Sequence, residues 1–91
     1  MIDIVWTGWF KQGTSDKLWG VLRDAHGEYY NFWCRRGAKM QFKHTNTDKH
    51  WHKADKGYKS ITPQKLEEIY PGFTEEANQQ LAFSKLTSTA W

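Results

Sequence analysis

The chain has 91 residues, so it is long enough for one compact domain and too short for a second hydrophobic core. Phe, Trp and Tyr make up 16% of the residues, and each large ring both buries apolar surface and offers a flat face for stacking. A single cysteine excludes an internal disulfide, no segment has the apolar length of a membrane span, and the modest net charge of +3 is concentrated between residues 33 and 60.

The first part of the chain predicts a meander of antiparallel strands. Apolar residues recur at every second position, which is typical of a half-buried strand with those side chains on one face. These residues are Ile2, Ile4, Trp6, Gly8 and Phe10. Loops or turns are predicted at 12–16, at 25–27 and at Gly37, and they separate further strands at 17–23, 28–35 and 39–43.

The third and fourth predicted strands each carry two different sets of side chains, because successive residues of a strand point to opposite faces. The set predicted to face the core is Tyr30, Phe32 and Cys34, continued by Met40 and Phe42. The opposite set is Tyr29, Asn31, Trp33 and Arg35, continued by Lys39, Gln41 and Lys43. Trp33 and Arg35 are therefore predicted to project from the same exposed face.

The second half of the chain predicts mainly helices. Residues 45–57 are polar without a firm period, which predicts a loop or a helical turn, and a short edge strand is predicted at 58–61. Thr62 and Pro63 are typical of a helix start, because Thr caps the N-terminus and Pro suits the first helical position. The apolar side of this helix is Leu66, Ile69 and Tyr70.

A second helix is predicted after a break at residues 71–72, with Thr74 as its cap. The two helices together form a C-terminal extension over residues 62–86. No structure is predicted for residues 87–91. The predicted fold class is α+β: one domain, residues 1–91, with an antiparallel β-sheet of four to five strands and two short C-terminal helices. Over residues 61–91 two lysines stand against four glutamates, so this part is a candidate docking surface for a protein or a second copy.

Residues 33–60 contain eight basic residues against two aspartates. The basic residues are Arg35, Arg36, Lys39, Lys43, Lys49, Lys53, Lys56 and Lys59. Such a run also occurs on merely solvated surfaces. Here Trp33, Phe42, Trp51 and Tyr58 are interleaved with the cations, and this combination favours a nucleic acid as the partner.

The segment W-C-R-R-G at residues 33–37, followed four residues later by Gln41, resembles the signature of the WGR domain, a small nucleic-acid-binding module. K-L-W-G-V-L at 17–22 and K-G-Y at 56–58 extend the resemblance over residues 17–59. Cys34 replaces the central glycine of the signature. In WGR domains linked to poly(ADP-ribose) polymerases the signature Trp packs against a terminal nucleotide, and the Arg engages the backbone or a neighbouring protein domain. The resemblance implies these roles for Trp33 and Arg35.

The predicted function is non-catalytic binding of nucleic acid without sequence preference, with DNA ends or nicks as the target and RNA as a second candidate ligand. The candidate binding residues are Tyr29, Trp33, Arg35, Arg36, Lys39, Gln41, Lys43, Trp51 and Lys53. Arg36, Lys39 and Lys43 are expected to contact phosphates. Two alternatives stay open. In the first alternative, Trp33 is a buried core ring. In the second, the face that carries Trp33 and Arg35 binds and regulates a larger protein, since Trp, Tyr and Arg dominate interface hot spots.

Enzymatic and metal-dependent functions are not predicted. His44, His50, His52 and Cys34 are suitable zinc ligands, but their spacing lacks the usual paired pattern. A nucleophilic Cys34 would need an activating base nearby, and the sequence contains no phosphate-binding loop or nucleophile elbow. We expect no cofactor and no metal. The first residues lack the pattern of a signal peptide, so we expect a cytoplasmic protein that is a monomer or a weak dimer.

Overall fold

The computed structural model describes residues 2–45 and 51–89, except the side chains of Trp51 and residues 82–89. Its elements are β1 (Asp3–Gln12), β2 (Ser15–Arg23), β3 (Tyr29–Arg35), β4 (Gln41–Thr45), α1 (Trp51–Asp55), β5 (Lys59–Ser60), α2 (Pro63–Ile69) and α3 (Phe73–Thr89). The five strands form one antiparallel sheet in the order β4-β3-β2-β1-β5. This architecture confirms the predicted α+β fold class.

The first two strands form a hairpin whose turn is shorter than the loop predicted at 12–16. Gln12 and Ser15 are Cα partners, so only two residues connect β1 to β2. Gly13 has a φ of 60°, the left-handed conformation that a tight hairpin turn requires and that glycine adopts without a steric penalty. Strand pairing therefore extends into residues whose polar composition predicts a loop.

The first strand contains a β-bulge that divides its apolar residues between two faces. Ile4 pairs with Leu22. Trp6 pairs with Val21, so the register shifts between Ile4 and Trp6. Ile4 packs against the core, whereas Trp6 contacts Trp19, with ring centroids 6.1 Å apart. The prediction that Ile4 and Trp6 share a face is wrong, because one extra residue in a strand reverses the alternation of side chains beyond it.

The core lies between one face of the sheet and the helices α2 and α3. Its buried residues are Leu18, Leu22, Phe32, Cys34, Met40, Leu66, Phe73, Ala77 and Leu81. Phe32 and Phe73 are fully buried, with ring centroids 4.6 Å apart. Burying each such ring stabilises the fold by roughly 1.5–3 kcal/mol. The core-facing set predicted on the third and fourth strands is confirmed, since each member is buried or packed against this cluster.

The segment between β4 and α2 brings a short helix to the other side of the sheet. α1 has five residues and falls in the region for which the sequence predicts a loop or a helical turn. β5 pairs with β1 at the edge of the sheet, which confirms the predicted edge strand. Just before β5, the ring of Tyr58 packs on that of Phe10 of β1, with centroids 5.3 Å apart. Residues 46–50, which include Lys49 of the basic segment 33–60, lie outside the described part of the chain.

The start of α2 agrees with the sequence prediction. Thr62 is the N-cap in an extended backbone conformation, and its Oγ1 accepts a hydrogen bond from the Lys65 N–H at 3.1 Å. Pro63 occupies the first helical position, where its missing N–H leaves no partner unsatisfied. Leu66 then points into the core, where it is fully buried.

The ends of α3 differ from the prediction. The helix begins at Phe73, so Thr74 is its second residue and not its cap. The carboxylate of Glu67, on α2, accepts hydrogen bonds from the N–H groups of Gly72 at 3.0 Å and Thr74 at 2.8 Å. A side chain of the preceding helix therefore satisfies the first amides of α3, which a local capping pattern cannot show. At its other end α3 runs to Thr89, through residues for which the sequence predicts no structure.

Candidate functional site

The face of the sheet opposite the core is here called the basic face. It carries aromatic rings and cations from β1, β2, β3 and β4 and from the segment around α1. Side-chain alternation and the antiparallel register align these residues in rows across the strands. The side chains that form the candidate site on the basic face are Phe10, Lys17, Trp19, Tyr29, Asn31, Trp33, Arg35, Gln41 and Lys43, with Lys53, Lys56 and Tyr58 from α1 and the residues after it. Arg23, at the far end of β2 on the same face, pairs with Asp3 at 3.6 Å. A pocket of about 420 Å³ opens on it between β2, β3 and α1.

Trp33 lies in the middle of the basic face. Its Cα partners are Trp19 on β2 and Gln41 on β4, and 38% of its surface is exposed. The alternative in which Trp33 is a buried core ring is wrong, because the core positions of β3 are occupied by Phe32 and Cys34. An exposed indole in a row of strand side chains is a candidate stacking surface for a planar ligand.

Lys53 connects α1 to the aromatic surface of the sheet. Its Nζ lies 5.6 Å from the ring centroid of Trp19 and 5.5 Å from that of Tyr58. Each such cation–π contact is worth about 0.5–1 kcal/mol at an exposed site. These two contacts keep the ammonium group of Lys53 on the basic face, between the rings of Trp19 and Tyr58.

Three lysines converge at one end of the basic face. Lys17 of β2, Lys53 of α1 and Lys56 line a small pocket with Phe10 and Tyr58. The pKa of Lys53 is lowered, first by burial and then by the positive charges of Lys56 and Lys17. None of the three lysines forms an ion pair with another described residue. A bound anion would relieve both their mutual repulsion and the loss of hydration.

Arg35 and Lys43 add positive charges to the basic face on β3 and β4. Arg35 is exposed on β3 and has Lys17 as its Cα partner on β2. Lys43 is exposed on β4 opposite Asn31. Neither cation has an acidic partner among the described residues. Both charges therefore remain available to an external anion.

Two predicted site residues lie elsewhere. The guanidinium group of Arg36 is 3.5 Å from the Asp16 carboxylate and 5.7 Å from the ring centroid of Trp9, which packs against the core. Lys39 precedes β4 and lies, with Gln80 and Leu81, in a groove between β4 and α3 that Gln41 and Lys43 also line. The structure does not bring Arg36 to Trp33, because the chain leaves the strand at Arg36 and turns toward the helical side.

Six of the nine candidate residues come together on the basic face. These are Tyr29, Trp33, Arg35, Gln41, Lys43 and Lys53. Trp51 is the first residue of α1, but its side chain lies outside the described part of the structure. Phe10, Lys17 and Trp19 also belong to the face but were not predicted as site residues. Lys56 and Tyr58, which the sequence places in the basic segment, belong to it as well. The alternation of Lys17 and Trp19 with the core residue Leu18 is the signal that could have identified the β2 members.

The histidines and the cysteine have other surroundings. His44 Nε2 lies 2.8 Å from the Glu28 carboxylate at the edge of the sheet. Burial raises the pKa of the Cys34 thiol, and the charge of Glu76 raises it further, so the thiolate required of a nucleophile is disfavoured. No three His, Cys, Asp or Glu residues in the described ranges are grouped to hold a metal ion. His50, one of the zinc ligands considered above, lies outside those ranges.

No helix of the described residues is both long and apolar enough to cross a membrane. A scan of the sequence against protein-family models finds no match. Searches of curated proteins and of solved structures find no match either. The resemblance to WGR domains therefore rests on the signature residues of the chain itself.

Proposed function

We propose that this protein is a non-catalytic module that binds nucleic acid through the basic face, without sequence preference, and that DNA ends or nicks are its targets. The observation that carries the proposal is the exposed ring of Trp33 on a surface where Lys17, Arg35, Lys43, Lys53 and Lys56 have no acidic partners among the described residues. Rings for stacking and cations for phosphate are the two components that such binding requires.

The distribution of charge supports an anionic ligand. Lys17, Arg35, Lys43, Lys53 and Lys56 all belong to the basic face. The glutamates of α2 and α3 lie on the opposite side of the sheet, with the helices that cover the core. A surface of one sign attracts the phosphate backbone over a long range and accelerates association at low salt.

The exposed ring of Trp33 supports strand ends as the target. Bases inside a duplex are stacked on both faces, whereas a terminal base has one face free, and a nick allows the duplex to bend and expose the face of a base beside it. Stacking of one base on an aromatic side chain contributes roughly 1–3 kcal/mol. Arg35 is two residues further along β3, about 7 Å away, where its guanidinium group can grip a phosphate in a bidentate way.

The test is fluorescence anisotropy with labelled blunt duplex, nicked duplex and single strand, at about 50 and 200 mM salt. We expect tight, salt-sensitive binding by the wild type. Trp33→Ala should weaken binding by about tenfold or more, from the loss of stacking, and Arg35→Ala should do so by a similar factor. Circular dichroism and thermal unfolding must show that each variant is folded.

The matched control is Lys65→Ala, which removes the same charge as Arg35→Ala from the helical side of the molecule, where Lys65 lies over the ring of Trp9. Its affinity should stay within about twofold of the wild type. Equal binding by the wild type and by both basic-face variants would contradict the proposal. Equal affinity for a nicked duplex and for an uninterrupted closed circle would contradict the preference for ends and nicks.

A second candidate function uses the same face to bind and regulate a protein. The exposed Trp33 beside Arg35 favours it, because Trp and Arg are enriched in interface hot spots. A hot-spot interface depends on salt less than a phosphate contact does. Absence of binding to all three nucleic acids, combined with salt-insensitive capture of a protein that Trp33→Ala abolishes, would favour this function.

A cytoplasmic location is also a proposal and rests on the sequence. The single cysteine, Cys34, is free and buried, so no disulfide points to an oxidising compartment. A tagged chain should fractionate with cytoplasmic markers in intact cells. Recovery from the medium or from a membrane fraction would contradict this location.

A further inference from the structure

The outer edge of β4 exposes backbone groups that no described strand uses. β4 is the last strand of the sheet on the side away from β5. The Arg36 N–H donates to the Asp16 carbonyl at 2.8 Å, which makes these residues a hydrogen-bonded pair at the end of the β2–β3 ladder. Because such pairs alternate along antiparallel strands, the odd-numbered residues of β3 direct their backbone groups toward β4.

The same alternation identifies the free groups of β4. Gln41 and Lys43 are the partners of Trp33 and Asn31, so their N–H and C=O groups point to β3. Phe42 and His44 therefore direct their N–H and C=O groups away from the sheet. The Met40 amide has the same outward direction, and it donates to the Tyr70 hydroxyl at 3.0 Å. That hydrogen bond agrees with the outward direction assigned to the even-numbered residues. The backbone groups of Phe42 and His44 are then the ones on this edge that a further strand could bind.

A groove runs along this edge. It is lined by six consecutive residues, 39–44, and on its other side by Gln80 and Leu81 of α3, and it has a volume of about 610 Å³. The apolar part consists of Phe42, Leu81 and Tyr30, all packed against the core. The lining of the groove therefore follows a strand that has open hydrogen-bonding positions. An extended peptide binds such an edge by adding a strand to the sheet.

We propose that this groove is a docking site in which an acidic, extended segment of a partner protein adds a sixth strand to the sheet at β4. The charges select an acidic segment. Lys39 and Lys43 line the groove and form no ion pair with any described residue, whereas Glu28, the one carboxylate among the described lining residues, already pairs with His44. Cross-strand pairs of opposite charge stabilise a sheet, and like charges destabilise it.

The register of β4 specifies the side chains of the segment. A peptide residue opposite Lys43 projects on the same side of the sheet as Lys43, and an Asp or Glu fits there. The peptide residues before and after it project to the other side of the sheet, beside Phe42 and His44. On that side Leu81 of α3 also lines the groove, so apolar side chains fit there. The docking segment therefore has the pattern apolar–acidic–apolar in an extended conformation.

A second copy of this chain is a poorer occupant. Antiparallel pairing of two β4 strands through Phe42 and His44 places Lys43 directly opposite Lys43 of the other copy. Two ammonium groups in a non-hydrogen-bonded pair, with Cβ atoms about 4.5–5.5 Å apart, repel each other. Lysines on an edge strand commonly prevent this kind of self-association.

The test uses a capped octapeptide in which valine alternates with glutamate, titrated into the isotope-labelled protein and followed by the backbone amide signals. We expect saturable shifts at Phe42 and His44 and slower hydrogen exchange at both amides. The same peptide with lysine in place of glutamate should bind about tenfold more weakly or worse. Absence of saturable shifts at these amides up to millimolar peptide would overturn the proposal, as would equal binding of the lysine peptide.

His44→Pro provides the decisive variant. It removes an outward N–H and leaves the β3–β4 hydrogen bonds in place, because proline is tolerated on an edge strand where its nitrogen faces away from the ladder. The control is His44→Ala, which loses the imidazole and the Glu28 pair but keeps the amide. We expect peptide affinity to fall about tenfold in His44→Pro relative to His44→Ala. Equal affinity in the two variants would contradict strand addition.

Two further outcomes distinguish strand addition in this groove from self-association and from peptide binding at the basic face. Concentration-dependent dimerisation of the peptide-free protein that His44→Pro abolishes would overturn the proposal in favour of a second copy. The docking site does not depend on the proposed nucleic-acid binding, so His44→Pro should bind labelled duplex like the His44→Ala control. Loss of peptide binding in Trp33→Ala, with His44→Pro unaffected, would move the peptide to the basic face and overturn the assignment of the groove.

Discussion

Arg35 and Arg36 are neighbours in the chain, yet their guanidinium groups lie in different places. Arg35 is the last residue of β3 and belongs to the basic face, opposite Lys17. Arg36 is outside the strand and pairs with Asp16 beside Trp9. One step along the chain thus decides which charge is available to a ligand and which is already paired. A run of basic residues in a sequence therefore overstates the charge of any one face.

The lysine cluster of the basic face should lower the stability of the free protein. The folded-state pKa of Lys53 lies below its usual value because of burial and of Lys56 and Lys17. Folding is therefore disfavoured while Lys53 is protonated, and the penalty is relieved as the pH rises above the folded-state pKa. We expect Lys56→Gln to raise the free energy of unfolding at pH 7 by about 0.3 kcal/mol, because one like charge is removed.

Urea unfolding measures this change, and the matched control is Lys59→Gln, an exposed lysine of β5 outside the cluster, which should change stability less. The same Lys56→Gln variant should bind DNA about twofold to fivefold more weakly at low salt, since one phosphate contact is lost. A less stable Lys56→Gln protein would contradict the repulsion between these lysines, and unchanged DNA affinity would contradict their part in binding.

At the scale of secondary-structure elements, α2 and α3 are joined by a single carboxylate. Glu67 of α2 accepts hydrogen bonds from the amides at the start of α3. Burial by itself would raise the pKa of Glu67, but hydrogen bonds from Thr74, Gly72 and Phe73 outweigh it and lower the pKa. Glu67 thus replaces the cap that a local pattern assigns to Thr74, and it fixes how α3 leaves the turn to cover Phe32.

Glu67→Gln should destabilise the protein by about 1 kcal/mol at pH 7, a typical value for a lost helix cap. Because the folded-state pKa of Glu67 is lowered, its contribution is present above the unfolded-state pKa and is lost as the pH falls through the folded-state pKa. Urea unfolding at pH 7 and at about pH 3 should therefore show a difference from wild type that shrinks in acid.

The neighbouring Glu68→Gln is the control for this variant, since Glu68 is exposed on the same helix. It should change the free energy of unfolding by less than about 0.5 kcal/mol. A difference between Glu67→Gln and wild type that stays the same at both pH values would show that the carboxylate charge is not what stabilises the start of α3.

At the scale of the whole molecule, the two faces of the sheet differ in composition and burial. One face holds the core and its covering helices, and the other carries the exposed ring and the unpaired cations. The basic segment of the sequence is divided by this sheet. Lys43 projects on the basic face, whereas Lys59, the partner of Trp9 on β1, projects on the helical side. Position relative to the sheet should therefore decide how each lysine affects DNA binding.

The salt dependence of DNA binding tests this division. Each phosphate contact contributes about 0.7–0.9 to the slope of log affinity against log salt. Lys43→Ala should reduce the slope by about one such increment, because its charge lies on the basic face. Lys59→Ala removes an equal charge from the same basic segment and should leave the slope unchanged. Anisotropy titrations at four salt concentrations between about 50 and 200 mM measure both slopes. Equal slopes for the two variants would contradict the division.

Much of the fold could be predicted because its determinants are local. Alternation along β3 assigns Phe32 and Cys34 to the core and Trp33 and Arg35 to the opposite face, and the structure agrees. The Thr62 cap is equally local, since the hydroxyl and the amide that it binds are three residues apart. For the candidate site, the same alternation was sufficient to select the β3 and β4 members of the basic face.

The tertiary structure decided the features that depend on residues far apart in the chain. The bulge near Ile4 is set by pairing with β2, and it reverses the face of every later residue of β1. Lys17 meets Lys53 and Lys56 only because α1 folds over β2, and Glu67 meets Thr74 only through the turn between two helices. Local spacing determined which side chains share a strand face, and the packing of distant segments determined which of those side chains meet.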